Sequence, residues 1–176
     1  FENLYLYRSM QTEAIKVLLP VQLFETEASS QLFKAGIELG MRHYYKSNPE
    51  HLRIDTYQEY NKNTQNFDNY LVIYDTIPGG TGYLSKLYNK VEFSKLIRIS
   101  YEHIRDCGCQ HEGKDGCYKC ILSYGNQWQR ENLSRARAEE LFEKIASQLD
   151  NWEDINGSVG SITSNGVIED SELEIL

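Results

Sequence analysis

A chain of 176 residues with 40% hydrophobic and 12% aromatic content is long enough to bury one core. It holds no apolar run near the roughly 20 residues of a membrane span. Its net charge of −8 excludes a surface that is basic overall, so any nucleic acid must be met by a local patch.

The charge is uneven. Glu153, Asp154, Glu169, Asp170, Glu172 and Glu174 fall in residues 151–176 with no Lys or Arg, which leaves residues 1–150 near −2. One folded unit, 1–150, is therefore expected, followed by an acidic, flexible tail, 151–176. The 13 tyrosines suit half-buried strands and binding surfaces. No signal peptide is evident and the cysteines read as reduced, which places the protein in the cytoplasm. A start at Phe1 rather than Met points to part of a longer protein.

In chain order, Met10–Leu19 carries Ala14, Ile15, Val17, Leu18 and Leu19 ahead of Pro20 and predicts a strand. Thr26 or Ser29 caps a helix to about Tyr45, with Ala28, Leu32, Ala35, Leu39 and His43 at helical spacing. Gly36 and Gly40 lie one turn apart on it and predict close packing against a sheet or a second helix. His43 reads as a core or edge histidine. His51–Tyr57 alternates as a strand, and the Asn-rich 61–69 reads as a turn or mobile loop. Tyr70–Asp75 is the strongest strand; its run Leu71-Val72-Ile73 predicts a central strand buried on both faces.

A glycine loop, Thr76–Tyr83, is followed by a predicted helix with Leu84, Leu87 and Tyr88. A second helix, from about Glu92 to Arg105, buries Phe93, Ile97, Tyr101 and Ile104. Ser134 caps a last helix to about Leu149, with Ala138, Leu141, Phe142 and Ile145 on one face. The fold class is thus α/β: a small sheet with packed helices.

All four cysteines, Cys107, Cys109, Cys117 and Cys120, lie in the pattern C-x-C-x7-C-x2-C. Thiolates this close along the chain can converge on one ion, with Zn–S bonds of about 2.3 Å. Gly113 and Gly116 let the polar segment between the pairs turn back, and Gly108 lets the first pair bend. A single structural zinc is the expected cofactor. Iron–sulfur clusters use other spacings, and a pair of disulfides suits a small secreted scaffold.

Two further features read either way. The loop Pro78–Gly82 sits between a strand and a helix, where Gly79, Gly80, Thr81 and Gly82 offer backbone amides to a phosphate or a DNA backbone. It lacks the Lys-Ser/Thr of a P-loop. The alternative is a tight turn whose amides are fixed by Asp75 or Thr76. Around the cysteines, Lys114, Lys119, Arg130, Arg135 and Arg137 interleave with Tyr118, Tyr124 and Trp128. Such a set either tracks a single strand by charge and base stacking, with Lys119, Arg130 and Arg135 as contacts, or covers the metal with aromatics and leaves the arginines solvated.

Together, Tyr74-Asp-Thr-Ile-Pro-Gly-Gly-Thr-Gly-Tyr83, the first cysteine pair, Asp115-Gly-Cys-Tyr-Lys-Cys120 and Leu133-Ser-Arg135 resemble the MrfA-type zinc-binding (MZB) domain. Thr12-Glu-Ala14 and the Gly36–Tyr45 helix end are also similar, so the resemblance spans about Ser9 to Leu149. Such domains occur near the C-termini of superfamily 2 DEAD/DEAH-box helicases. The resemblance implies that the four cysteines bind one zinc. It also implies a non-catalytic accessory module that supports nucleic-acid engagement or assembly of the motor. The implied partners are DNA or RNA through the parent helicase, and the helicase motor domains or a partner subunit, with no membrane. The chain itself carries no Walker A sequence and no Asp-Glu-x-His or Asp-Glu-Ala-Asp box. An alternative is a protein-interaction module docking through a tyrosine-rich face, for example in a phage-defence or DNA-repair complex. A carboxylate enzyme built on Asp75, Asp68 or Glu59 has no supporting spacing.

Overall fold

The computed structural model describes residues 10–20, 24 and 26–149, with the backbone alone for Gln129. Ser9 and the acidic stretch 151–176 lie outside the described residues. Three strands, β1 (Ala14–Leu19), β2 (Leu52–Asn61) and β3 (Asn66–Asp75), form an antiparallel sheet in the order β1-β3-β2. Three α-helices lie among the described residues: α1 (Glu27–Tyr44), α2 (Lys90–Arg105) and α3 (Arg135–Gln148).

Register fixes which side chains share a face. Ile15, Ile73 and Ile54 align across the three strands, as do Val17, Leu71 and Thr56. Leu71 and Ile73 are fully buried, while Val72 between them is only half-buried. β3 is therefore central, as expected, but buried on one face rather than two. Helices cover one side of an antiparallel sheet, and the alternate residues of its middle strand still point away from them. On the far face Lys16 bridges to Glu59 at 2.5 Å and lies over the Tyr57 and Tyr70 rings.

Two other expectations change. The Asn-rich stretch is mostly strand: only residues 62–65 turn, and Asn61 pairs with Asn66 to close a hairpin. The Asn61 side chain accepts the amides of Asn63 and Thr64, which replaces a mobile loop with an Asx turn. The helix expected after the glycine loop shrinks to a 3-10 turn, Leu84–Lys86. Leu84 and Leu87 are both fully buried, and a 3-10 turn puts i and i+3 on one side. Asn89 then caps α2 by accepting from Val91 N at 2.8 Å.

The helices lie as their caps and glycines predict. Thr26 and Ser134 cap α1 and α3 through the amides of Ser29 and Arg137. α1 meets its neighbours through its two glycines. A Cβ at Gly36 would fall 2.2 Å from the Phe142 ring of α3, and one at Gly40 would fall 2.0 Å from Ser100 Oγ of α2. Both helices thus approach α1 more closely than any side chain there would allow. Phe93, Leu96, Ile97, Phe142 and the inner sheet residues form the shared core. No helix among the described residues is long and apolar enough to cross a membrane.

Candidate metal centre

α2 delivers Cys107 two residues past its end, and a 3-10 turn, Gly108–Glu112, carries Cys109 inward. The chain reverses at Gly113 and Gly116, which adopt φ of 67° and 134°. Gly108, expected to supply the bend, does not enter the left-handed region. The second pair then closes a tight turn in which Cys120 N donates to Cys117 O at 3.0 Å.

The four sulfurs all lie within 4.8 Å of one another. Cys107 to Cys117 is 3.5 Å, Cys117 to Cys120 is 3.7 Å and Cys109 to Cys120 is 3.9 Å. Four thiolates at about 2.3 Å from a tetrahedral ion stand about 3.8 Å apart. A disulfide requires about 2.05 Å. All four cysteines are free, so the sulfurs are spaced for a shared ion and not for two bridges.

The electrostatics fit the same group. Burial pushes the Cys109 and Cys120 thiols up, which disfavours bare thiolates. Burial also opposes the Cys117 thiolate, but the Lys119 amide and the neighbouring sulfurs outweigh it and pull that thiol down. Cys117 N donates to Cys120 Sγ at 3.2 Å and Lys119 N to Cys117 Sγ at 3.4 Å. These donors orient the ligands from the backbone. A cation shared by the four sulfurs would offset the rest of the desolvation.

Arg135 supplies the outer charge. Expected as a nucleic-acid contact, it is only 8% exposed. Its Nη1 donates to Glu139 Oε2 at 2.6 Å and to Ile104 O at 3.4 Å. The reason is position: the first residue of α3 faces the end of α2 across the cysteine cluster, and its charge bears on Cys109. Its Nε is buried with no hydrogen-bond partner. A buried guanidinium with a spare donor suits neighbours that are anionic thiolates rather than neutral thiols.

The chain belongs to the MrfA Zn-binding domain family. Its family model matches residues 33–121, from the middle of α1 to one residue past Cys120. An uncharacterized protein of Methanocaldococcus jannaschii is 34% identical over 92 residues, covering 52% of this chain and 77% of that protein. No solved structure is significantly similar to the chain. β1 and α3 lie outside the matched span, although α3 brings Arg135 to the cluster.

In this MZB domain the four cysteines meet while the other predicted contacts separate. Lys119, between Cys117 and Cys120, is exposed, and so is Arg130, ten residues past Cys120. The glycine loop feeds the N-terminus of α2, and the cysteines follow its C-terminus, about 24 Å away along a 16-residue helix. The loop's amides are engaged within the chain. Asp75, fully buried, accepts from Ile77 N at 2.8 Å, Thr81 N at 2.9 Å and the Thr81 hydroxyl. Glu13 accepts from Gly82 N at 3.0 Å, and Gly79 N donates to Gln11 O at 2.9 Å. Two carboxylates stand where Gly79, Gly80, Thr81 and Gly82 were expected to cradle a phosphate. The geometry is that of the tight turn fixed by Asp75.

Three further residues make contacts that their sequence positions do not reveal. Arg42 of α1 donates to Cys120 O at 3.2 Å. Asp115 accepts from Arg135 N through its carbonyl and from Ala136 N through its carboxylate at 2.9 Å, joining Ser134 in capping α3. His43, expected in the core or at its edge, is exposed and stacks on His103 with ring centroids 3.5 Å apart. Each partner lies far off in sequence, on an element whose placement only the fold decides.

Proposed function

We propose that this MZB domain is a non-catalytic accessory domain of a larger helicase, and that it engages a single nucleic-acid strand beside its metal. The ion is zinc, one per chain and structural. Four thiolates fill a tetrahedral shell and leave no position for a substrate or a catalytic water. Bound there, zinc would tie the end of α2, through Cys107 and Cys109, to the Cys117–Cys120 turn and would supply no reaction step.

The observation that carries the strand reading is the outer side of the cysteine loop. Tyr124 and Trp128 are 84% and 88% exposed, and Tyr118 packs against Tyr124 with centroids 5.4 Å apart. Such exposure of Tyr124 and Trp128 favours open rings over a packed cover for the metal. Exposed rings close in sequence to the exposed cations Lys119 and Arg130 suit base stacking with backbone neutralisation. Phosphate contact by Arg135 is no part of this reading.

The test is anisotropy of a labelled oligothymidylate with the full chain. Replacing Tyr124 and Trp128 by Ala should weaken binding about tenfold or more per ring, with melting unchanged. Equal affinity in the double variant sinks the reading. A second reading, partner docking, is favoured by one feature: among the described residues, the sheet face bearing Tyr57, Tyr70 and Tyr74 carries no helix. A partner on that face leaves strand binding untouched by the Tyr124 and Trp128 changes.

A further inference from the structure

A second cationic surface lies away from the cysteine loop. The C-terminal end of α1 and the N-terminal half of α2 enclose an open groove of about 830 Å³, with Lys46, Lys86 and Lys95 among its lining residues. All three lysines are exposed. Glu92 is the carboxylate that faces them, and its Oε2 already accepts the Tyr44 hydroxyl at 2.5 Å and lies 3.9 Å from Lys95 Nζ. Burial and Glu92 push the Tyr44 hydroxyl up to about 12, so it stays a donor. In a chain of net charge −8, three lysines against one engaged carboxylate make a local excess of positive charge.

The backbone at Lys46 is an independent sign. Lys46 adopts φ of 54° at the end of α1. Lys46 N donates to His43 O and Ser47 N to Arg42 O, the paired bonds of a Schellman ending. Glycine is the residue that takes this left-handed position without strain. A lysine kept there costs stability and places a cation at the mouth of the groove. The groove also leads toward the metal. His43 on its wall stacks on His103, four residues before Cys107, and the neighbouring Arg42 reaches Cys120 O.

We propose that the groove is a phosphate track for a single-stranded nucleic acid, with Lys46, Lys86 and Lys95 as its contacts. It rests on the strand reading of the cysteine loop and extends that path along α2. The lysines neutralise successive backbone phosphates.

The full chain is titrated with labelled oligothymidylate at low salt and at fourfold higher salt. Three variants are compared: Lys46→Gly, the triple Lys46→Gly/Lys86→Ala/Lys95→Ala, and Tyr124→Ala/Trp128→Ala. Each lost single-strand phosphate flattens the log–log salt slope by about 0.7, so the fourfold step should weaken the unmodified chain up to about twentyfold more than the triple variant. Lys46→Gly should bind more weakly while its melting midpoint holds or rises, opposite to what a purely structural lysine would give. A triple variant that melts normally and keeps both affinity and slope overturns the groove. The reading of the cysteine loop then stands if the Tyr124/Trp128 variant still binds more weakly. No binding by the unmodified chain at low salt overturns both. Polyglutamate bound through the same lysines in preference to oligothymidylate overturns the groove as a nucleic-acid track and assigns it to an acidic protein partner.

Discussion

Removing the metal should melt the cysteine loop and spare the sheet. Within the fourteen residues from Cys107 to Cys120 the only buried side chains are Cys107, Cys109 and Cys120 themselves. The segment therefore has little apolar burial to offset an ordering cost of about 1–2 kcal/mol per residue, whereas a structural metal couples on the order of 10 kcal/mol into folding. The cleanest single change is Cys117→Ser. Cys117 is the half-buried ligand, so its loss tests ligation more than packing, whereas Cys120 is fully buried. Hydrogen exchange reads the result. In the chelated protein or in Cys117→Ser, the amides of Cys120 and Leu122, both bonded to Cys117 O, should lose protection. Those of Leu71 and Ile73 in β3 should keep theirs. If Cys120 and Leu122 stay as protected as β3 in protein shown to be metal-free, the ion does not hold the loop.

Two packing and charge predictions follow. Gly40→Ala gains about 1 kcal/mol of helix propensity but drives its Cβ to 2.0 Å from Ser100 Oγ, so a net loss of about 1–2 kcal/mol is expected. Adding Ser100→Ala should recover most of it, and denaturant melts that show Gly40→Ala stabilising the unmodified background would refute the close approach. Asp75→Asn should cost about 3 kcal/mol, since the carboxylate accepts three bonds while buried. Burial works against the Asp75 charge, but the Thr81 hydroxyl and the amides of Ile77 and Thr81 outweigh it and hold its carboxyl below the usual range. Its contribution is therefore full above the unfolded value of about 3.9 and is lost as pH falls through the lower folded value. Urea midpoints measured from pH 7 downward should drop more shallowly in Asp75→Asn below pH 4, and parallel curves would contradict this.

Local chemistry was legible where a residue's role depends on its near neighbours. Thr26 and Ser134 announced their helices, β1 and α2 followed from apolar spacing, and the cysteine pattern anticipated four thiols close enough to share an ion. What depended on the third dimension was not legible. Leu71-Val72-Ile73 reads the same whether a sheet is covered on one face or two, and only the one-sided placement of α1 and α2 decides it. Leu84 and Leu87 satisfy a helix or a single 3-10 turn equally well. The glycine loop looked ready for an anion because its sequence shows the amides and not Glu13, which arrives from the residue just before β1, more than sixty residues earlier.

Arg135 shows how the same limit applies to charge. In sequence it belongs to a basic cluster with Lys119 and Arg130, yet it is buried and bonded to Glu139 and Ile104 O. A buried ion needs partners close by, and helix α3 provides one a single turn away while the cysteine loop provides the anionic surroundings. Asp75 is the reverse case, a buried anion met by backbone amides and a hydroxyl. Both charges are consumed in holding a connection in place, so neither remains for a ligand. Cations without that structural role stay at the surface. Lys119 and Arg130 are exposed close in sequence to the exposed rings, and Lys46, Lys86 and Lys95 line the groove. The cations open to the proposed strand are those that remain after the buried ions are subtracted, and in the sequence alone the two sets cannot be told apart.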